Sequence, residues 1–441
     1  LNVHNVTIVR HGVIVLDAYF HPFTPQTRHD VASVTKSIVS LLVGQAIARG
    51  DLQGPDQRIV TALTPQQAAS AGAAAERIRL SDLLTMRSGL DCGFSNGERE
   101  LSGMRATTDW VAYALQLPTV AAPGDRFGYC SPNFHLLSAA ISASTGTSAL
   151  EFARKQLFEP LGITDVYWPA DPHGITHGWG DLQLQPRDMA KIGLLMLHNG
   201  RWQDRQVVPA AWIEQSVAHH FRATDSNDYG FGWWMPHALP GLFEAAGRGG
   251  QRISITPDKD IVVVTTGGGF EPFDIGKYIL KAVRADAPLP PDPANQKRLA
   301  EVLLQIAAAP AHHASSVPTI PRRLSGRVYS LEKNPLGIHS LAIDFADPDA
   351  TFLHIGLDSG GKLDQPLGMD GRYRLTNVQD GAVSAGRAEW FDDGRLRIEF
   401  NRLSFINRFV IDTVLADQEV QLVVAEPTEF GNLSIRGVAS K

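Results

Sequence analysis

The chain has 441 residues, too many for one compact domain, so two or three domains are expected. Hydrophobic residues make up 44% and charged residues 20%, as in proteins with a buried core, and 40 basic against 46 acidic residues give a net charge of −6. This balance excludes a broadly basic surface for nucleic acid, and the longest apolar run, residues 38–43, is too short to span a membrane. Two distant cysteines, Cys92 and Cys130, exclude a disulfide-rich scaffold and a cysteine-rich zinc site. We therefore predict a soluble, multi-domain protein that acts on small molecules, with no metal and no cofactor.

The first part of the chain has strands at both ends and helices between them. Residues 3–9 and 13–20 are β-branched runs joined by a His-Gly pair, which predicts a hairpin. A helix follows over about residues 33–49 and ends at Gly50; it is apolar almost all round, which predicts burial. Further helical patterns cover residues 80–87, 107–115, 132–144, 149–158, 187–197, 210–217 and 273–283, and strand patterns cover residues 252–256 and 261–266. One sheet assembled from distant segments is therefore expected.

The last part of the chain has a different composition and hydrophobic periodicity. Residues 287–293 read APLPPDP, a stiff linker, and a short amphipathic helix is predicted over residues 297–308. Apolar residues then alternate with polar ones around 341–345 and 396–400, and Asp-Gly pairs at 370–371, 380–381 and 393–394 are typical of hairpin turns. We predict a first domain over residues 1–286, a linker with a short helix over 287–323, and an antiparallel β domain over 324–441.

The beginning of the buried helix carries the first candidate for chemistry. Ser33 and Lys36 are three residues apart, so they share one helix face. Burial and the positive end of the helix dipole disfavour the charged lysine, and a neutral amine beside a hydroxyl is a general base beside a nucleophile. The alternative is that Ser33 only caps the helix and that Lys36 extends to water.

The same four-residue pattern recurs at Ser330 and Lys333, within the predicted β domain. Alternation along a strand would place these two side chains on opposite faces. The pattern alone is therefore weak, and the buried helical context distinguishes the first occurrence.

Two further segments have polar groups at turns. Tyr129-Cys130-Ser131 follows a turn and precedes a helix; we predict that Cys130 is a buried, inert thiol, the alternative being a nucleophile paired with His135. Residues 247–251 read GRGGQ between two strands, where glycines permit close approach of a ligand and Arg248 can hold a carboxylate. Residues 93–105, rich in Gly, Ser and charge, are predicted to form a mobile loop that could act as a lid.

The order of these segments, S-x-x-K, then Y-x-S, then a basic residue before Gly-Gly, resembles that of the serine hydrolases related to class C β-lactamases and penicillin-binding proteins. Residues 83–90, 122–124 and 186–190 also look typical of that family, so the resemblance covers roughly residues 1–285. It implies an α+β fold: an antiparallel sheet flanked by helices, with an all-helical insertion. Related hydrolases carry lipocalin-like β domains after the catalytic part, so a barrel is one form expected for residues 324–441.

The resemblance also implies roles for individual residues. Ser33 would be the nucleophile, Lys36 the base or proton relay, and Tyr129 the group that protonates the leaving group and helps to activate the deacylating water. The backbone N–H groups of Ser33 and Gln251 would form the oxyanion hole. Ser131, Arg248, Gly249 and Gly250 would contact substrate.

Two departures from the β-lactamase pattern change the expected substrate. Ser131 stands where those enzymes have asparagine, and Arg248-Gly249-Gly250 stands where they have Lys-Thr-Gly. Related esterases and amidases vary at both positions. We therefore expect a hydrolase that cleaves an ester, amide or β-lactam bond of a small molecule through an acyl-enzyme on Ser33.

Alternative functions remain at this point. An acyltransferase would use the same scaffold with an alcohol or amine in place of water, and a non-catalytic receptor would keep the pocket without turnover. No G-x-S-x-G is present, so the α/β-hydrolase elbow is not supported. The chain starts at Leu1 without a leader, which predicts that upstream sequence was removed or omitted. Relatives occur on both sides of the membrane, so the cytoplasm and an extracytoplasmic location both stay open, as does the oligomeric state.

Overall fold

The computed structural model describes residues 2–93, 98–310, 322–347 and 350–440. In chain order, the first twelve strands are β1 (Val3–Arg10), β2 (Val13–Tyr19), β3 (His29–Asp30), β4 (Gln183–Leu184), β5 (Arg201–Trp202), β6 (Arg205–Gln206), β7 (Phe221–Thr224), β8 (Asn227–Tyr229), β9 (Trp234–Pro236), β10 (Phe243–Gly247), β11 (Gln251–Thr256) and β12 (Ile261–Gly267). Eight of them form one antiparallel sheet in the order β2-β1-β12-β11-β10-β9-β8-β7. The hairpin of β1 and β2 thus pairs with β12, the last strand of this part, as the sequence pattern predicts.

The helices of this part lie mainly between β3 and β7. They are α1 (Val34–Arg49), α2 (Ile59–Ala62), α3 (Pro65–Ala68), α4 (Leu80–Leu84), α5 (Arg99–Arg105), α6 (Trp110–Leu115), α7 (Ser131–Thr145), α8 (Ala149–Ala153), α9 (Pro186–Leu197) and α10 (Ala210–Ser216), followed after the sheet by α11 (Phe273–Ala282) and α12 (Pro293–Ala307). A π-helical turn, Arg154–Phe158, extends α8.

Helix α1 lies in the core, as its continuous apolar surface predicts: every residue from 34 to 46 is buried. It ends at Gly50, whose positive φ of 83° suits a residue without a side chain. Helix α9 packs against β11 and β12 in the same core. There Gly193 permits close packing, because a Cβ atom on it would lie 2.4 Å from Val262 Cγ1.

The C-terminal strands form a second antiparallel sheet. They are β13 (Tyr329–Leu331), β14 (Ile338–Asp344), β15 (Thr351–Leu357), β16 (Lys362–Leu367), β17 (Arg374–Asn377), β18 (Val383–Trp390), β19 (Leu396–Asn401), β20 (Arg408–Leu415), β21 (Glu419–Glu426) and β22 (Gly431–Ala439). Their order is β16-β15-β14-β13-β22-β21-β20-β19-β18-β17. Its two ends approach each other: the Gly368 N–H, just after β16, donates to Gly386 O on β18 at 3.2 Å. The sheet is therefore a nearly closed barrel with its own apolar interior.

Three predictions about local structure are corrected. Cys130 is not a free thiol, because it forms a disulfide with Cys92 that links two segments 38 residues apart in sequence. The predicted mobile loop contains a helix, α5, over its last seven residues, while residues 94–97 lie outside the described part. The helix predicted over residues 80–87 ends at Leu84, because Met86 adopts a positive φ of 57°. Over the described residues, no helix is long and apolar enough to cross a bilayer.

Candidate active site

The segment before α1 holds Ser33 in an irregular backbone. Strand β3 pairs with β4, and Ala32 follows with a positive φ of 47°, a conformation that a residue with a side chain rarely adopts. The Ala32 N–H donates to Asp30 Oδ1 at 2.7 Å, which stabilises this turn. Strained backbone of this kind is concentrated at functional sites, and here it directly precedes Ser33.

Ser33 and Lys36 are in contact at the first turn of α1. The Lys36 Nζ donates to Ser33 Oγ at 2.8 Å, and the lysine side chain is only 1% exposed. Ser33 makes no side-chain capping hydrogen bond. The structure thus favours a paired serine and lysine over a capping serine and a lysine that extends to water.

A second contact fixes the lysine amine. Lys36 Nζ also donates to the Trp179 carbonyl at 2.9 Å. The Trp179 ring stacks on His177 with 4.7 Å between ring centroids, and His177 Nδ1 lies 2.7 Å from Asp181 Oδ2. Burial alone would raise the pKa of Asp181, but its hydrogen bond to His177 and the charge of His177 lower that pKa overall. This carboxylate therefore orients the segment whose carbonyl holds Lys36.

Glycine allows this segment to approach the helical core. A Cβ atom on Gly178 would lie 1.8 Å from the Phe134 carbonyl oxygen on α7. Only glycine fits at such a distance from a backbone atom. The Trp179 carbonyl, which accepts from Lys36, is thereby held close to α7.

Tyr129 lies beside the lysine. Lys36 Nζ is 5.0 Å from the centre of the Tyr129 ring, within the range of a cation–π contact. The Trp234 ring is stacked on the Tyr129 ring, with 6.1 Å between the ring centroids and 16° between the ring planes. The predicted nucleophile, base and tyrosine are thus brought together in one place.

Ser131, two residues after Tyr129, is 1% exposed, and its side chain contacts the acidic side chain of Glu98. Its hydroxyl donates to Glu98 Oε1 at 2.5 Å. Glu98 itself has a positive φ of 55° and directly precedes α5. The segment predicted as a lid thus contributes a carboxylate next to the Y-x-S motif.

The strand pair β10–β11 brings the glycine-rich motif to the nucleophile. A Cβ atom on Gly247 would lie 2.5 Å from the Val31 carbonyl oxygen and 3.1 Å from the Ser33 nitrogen. Gly247 pairs with Gln251 across the hairpin. The two residues expected to form the oxyanion hole, Ser33 and Gln251, therefore both adjoin Gly247.

Hydrogen bonds to strand β12 hold the other residues of the glycine-rich motif. The buried Gln251 side chain donates to the Gly267 carbonyl at 2.6 Å, and Thr265 Oγ1 donates to the Gly250 carbonyl at 2.7 Å. Gly249 has a positive φ of 83°. A Cβ atom there would lie 2.4 Å from Ile406 Cγ2 in the loop between β19 and β20, so the motif is packed against that loop.

Arg248 is directed to the C-terminal sheet. Its Nη1 donates to Thr428 Oγ1 at 2.8 Å, and its Nη2 lies 3.6 Å from Glu429 Oε2. The guanidinium already has an anionic neighbour within this chain. Its predicted contact with a substrate carboxylate therefore stays a prediction.

Asp30, beside the nucleophile turn, contacts the loop between β19 and β20 of the C-terminal part. Its N–H donates to the Ser404 carbonyl at 3.0 Å. Burial, followed by the charge of Asp181, raises the pKa of Asp30 from 3.8 to about 7, against the opposing Ala32 N–H hydrogen bond and the charge of Arg402. Burial lowers the pKa of Arg402 in turn.

A cavity of about 340 Å³ opens next to Tyr129. Its wall includes Asp91, Arg126 and Cys92. The Cys92–Cys130 disulfide ties that wall to the residue between Tyr129 and Ser131. This cavity is large enough for a small molecule next to the tyrosine.

A sequence model of the beta-lactamase family matches residues 5–285. The chain belongs to the beta-lactamase family. It is 25% identical over 281 residues to the 6-aminohexanoate-dimer hydrolase of Paenarthrobacter ureafaciens, an alignment that covers 58% of this chain and 70% of that protein. The resemblance inferred from the three motifs is thereby confirmed at the level of the family.

Solved structures show the same fold. The octameric penicillin-binding protein homologue of Pyrococcus abyssi matches with a TM-score of 0.52 at 18% identity, over 98% of this chain and 95% of that one. A penicillin-binding protein of Bacillus halodurans matches with a TM-score of 0.52 at 17% identity, over 64% of this chain and 96% of its own. The first match extends through the C-terminal sheet, so the two-part architecture predicted from sequence is confirmed.

Sequence reasoning assigned no role to four groups around the site: Asp30, Glu98, Asp181 and Arg402. The signal for Asp181 was present in the H-G-W-G-D run, because two glycines flank a tryptophan before an acid. Glu98 and Arg402 lie far from the motifs in sequence, and only the folded chain shows their place. Within the described ranges, no three or more His, Cys, Asp or Glu side chains are arranged to hold a metal ion.

Proposed function

We propose that this protein is a serine hydrolase that cleaves an ester or amide bond of a small molecule through an acyl-enzyme on Ser33. The observation that carries the proposal is the 2.8 Å contact between Lys36 Nζ and Ser33 Oγ, with the lysine buried and also bound to the Trp179 carbonyl. A nucleophile in hydrogen-bond reach of a base, with the base oriented by a third group, is the general arrangement for covalent catalysis.

In the acylation step, Ser33 Oγ attacks the substrate carbonyl carbon and its proton passes to the Lys36 amine, which acts as the general base. The tetrahedral oxyanion would accept hydrogen bonds from the Ser33 and Gln251 N–H groups, which adjoin Gly247. The bond to the leaving amine or alcohol then breaks. The leaving group takes a proton relayed from Lys36 through Tyr129, whose ring lies 5.0 Å from the lysine amine.

Deacylation reverses these roles. Water attacks the acyl carbon, gives a proton to the Tyr129–Lys36 pair, and releases a carboxylic acid as Ser33 regains its proton. If an added alcohol or amine replaces water, the same acyl-enzyme yields a transfer product. The partition of the acyl group between water and added nucleophiles distinguishes a hydrolase from an acyltransferase.

The substrate class follows from the departures at Ser131 and Arg248 together with the family comparison. The relative from Paenarthrobacter ureafaciens is named for hydrolysis of an amide-linked dimer. Ser131 donates a hydrogen bond to Glu98, and Arg248 donates one to Thr428 and lies near Glu429. These contacts favour a linear ester or amide over a β-lactam, with a chromogenic cephalosporin, nitrophenyl esters, D-amino-acid amides and a short nylon-type oligomer as the panel to compare.

Intact-mass analysis after treatment with a fluorophosphonate tests the proposal. The wild-type protein should gain the mass of one phosphonyl group, and Ser33→Ala should gain none. Ser330→Ala provides the matched control, because it removes the serine of the second S-x-x-K pattern; it should still be labelled. An adduct that persists in Ser33→Ala, or no adduct on the wild-type protein, would refute the acyl-enzyme.

A further inference from the structure

A second cavity, of about 210 Å³, lies between the two parts of the chain and away from Ser33. On the N-terminal side its walls are the turn after β2, with His21 and Phe23. On the other side they are Arg387, Asn401 and Arg408 of the C-terminal sheet. A single water accounts for about 30 Å³ of liquid, so the cavity has room for more than one.

The C-terminal wall is the outer face of the barrel. Asn401 on β19 is directly opposite Arg408 on β20, so their side chains share a face. The alternate residues of β19, such as Leu396 and Ile398, are buried in the barrel interior. Outer faces of barrels are normally wet, yet Asn401 is only 3% exposed because the N-terminal part covers it.

Three residues that line this cavity each carry a buried polar atom with no hydrogen-bond partner among the described residues: Arg408 Nε, Asn401 Oδ1 and His21 Nε2. Leaving a buried donor or acceptor unsatisfied costs about 1–3 kcal/mol each. Three such atoms around one cavity indicate a site that is completed by a ligand.

The donor or acceptor character of each of these three atoms indicates which ligand groups would fit the cavity. Arg408 Nε is a charged donor, which prefers an anionic oxygen. Asn401 Oδ1 is an acceptor, so the same ligand must also present a donor. Burial, followed by the charge of Arg387, lowers the pKa of His21, so its ring is neutral at neutral pH and adds no competing charge.

The surrounding charges favour a hydroxyl over an ammonium as that donor. Both guanidiniums bind Glu399, Arg387 Nη2 at 2.7 Å and Arg408 Nη2 at 2.6 Å, and exposed Glu389 also acts on Arg387. The residues that line the cavity carry two positive charges and no negative one. A cationic ligand group would be repelled at this short range, whereas a hydroxyl would not.

We propose that this interdomain cavity is a binding site for a short hydroxycarboxylic acid, whose carboxylate accepts from Arg408 Nε and whose hydroxyl donates to Asn401 Oδ1. The site is independent of the hydrolase reaction, since none of its residues contacts Ser33, Lys36 or Tyr129 in the described structure.

Calorimetric titration of the full chain with four small probes tests this assignment. Glycolate should bind saturably. Acetate, which lacks the hydroxyl, should bind at least fivefold more weakly, and glycolamide, which lacks the charge, should not bind. Glycine should also bind more weakly than glycolate. If glycolate shows no saturable binding at concentrations on the order of 10 mM, or if glycolamide binds equally well, the proposal is wrong.

Variants locate the binding. Arg408→Lys keeps a positive charge opposite Glu399 but removes the Nε donor, and it should weaken glycolate binding at least tenfold. Asn401→Leu should abolish the preference for glycolate over acetate. Arg395→Met is the matched control, because Arg395 pairs with Asp393 and Asp412 on the same sheet outside the cavity; it should leave the affinity unchanged. Unchanged affinity in Arg408→Lys, with an unaltered circular dichroism spectrum, would place the binding elsewhere.

Discussion

The chain contains the pattern S-x-x-K twice, and the two copies differ in every physical respect that matters for chemistry. Ser33 and Lys36 lie in the first turn of a buried helix, 2.8 Å apart. Ser330 lies on the short strand β13 with its hydroxyl 2.9 Å from Ser440 Oγ, and Lys333 is exposed beyond the end of that strand. The two segments share one sequence pattern, but only the helical segment places the lysine amine within hydrogen-bond distance of the serine hydroxyl.

The difference shows what makes a serine reactive. Around Ser33, the lysine is buried, bound to the Trp179 carbonyl and adjacent to an aromatic ring. In the second copy, Ser330 and Lys333 are both exposed to water. Burial and spacing together, and neither alone, turn the pattern into a candidate nucleophile and base.

The largest effect is expected when each serine is removed in turn. Ser33→Ala should lower kcat for the best substrate of the panel by about 10⁴-fold or more, because the nucleophile is lost. Ser330→Ala should leave kcat unchanged. Steady-state kinetics on both variants, purified in parallel, measures the contrast; equal losses would show that the two serines are not distinguished by their surroundings.

Replacing the lysine of each pattern by methionine should give the next largest effect on the reaction rate. Lys36→Met preserves the length of a buried side chain and removes the amine, so acylation should slow by about 10²–10⁴-fold, the usual contribution of a general base. Lys333→Met should have no effect on the rate. The rate of fluorophosphonate labelling follows acylation directly, and an unchanged rate in Lys36→Met would remove this lysine from the mechanism.

A smaller effect should follow when the nucleophile turn is displaced. Gly247→Ala would place a Cβ atom 2.5 Å from the Val31 carbonyl oxygen and 3.1 Å from the Ser33 nitrogen, so β10 must move away from that turn. A shift of about 1 Å at a reacting centre can cost about 100-fold in rate. Gly276→Ala, in α11 with open space around its Cβ position, is the control and should keep full activity.

If Gly247→Ala retained the wild-type kcat and KM, the glycine-rich strand would not support the reacting geometry. A loss confined to kcat would indicate a displaced oxyanion donor. A loss confined to KM would instead indicate weaker ground-state binding.

The smallest effect concerns stability and pH. Asp30, next to the nucleophile turn, has a pKa raised from 3.8 to about 7 by burial, so its neutral form is the one that the fold favours. Its stabilising contribution is complete below about pH 3.8 and is lost as the pH rises through 7. Relative to Asp30→Asn, the wild-type free energy of unfolding should therefore decline between these two pH values and level off above them.

Urea unfolding at several pH values measures this decline. Glu332 offers a control near the second pattern, because it is exposed and accepts the Arg436 N–H at 2.9 Å. Glu332→Gln should not change the pH dependence over the same range. A parallel pH profile for Asp30→Asn and the wild-type protein would show that the pKa of Asp30 is the same in the folded and unfolded states.

Much of this arrangement could be predicted from the sequence because it depends on local periodicity. The buried helix, the hairpin of β1 and β2 and the alternating C-terminal strands follow from the spacing of apolar residues. The proximity of Ser33 and Lys36 follows from the helical repeat. The division into residues 1–286, 287–323 and 324–441 stays a prediction.

The rest depends on contacts between distant segments, which no local pattern specifies. The disulfide joins Cys92 to Cys130 because the cavity wall folds onto the tyrosine segment. Glu98 reaches Ser131 from the start of a helix that composition alone suggested to be a loop. Arg248 turns to Thr428 because a second sheet, 180 residues later in the chain, covers the glycine-rich motif.

Peptide mapping of the fluorophosphonate-treated protein tests the central claim most directly. After reduction and trypsin digestion, Ser33 lies in the peptide of residues 29–36 and Ser330 in the peptide of residues 328–333, so one mass spectrum compares the two S-x-x-K serines within the same molecule. We predict that the phosphonyl group is found on Ser33 and that the peptide of Ser330 is unmodified. Equal labelling of both peptides, or label on Ser330 alone, would contradict the claim that the buried helical context makes Ser33 the nucleophile.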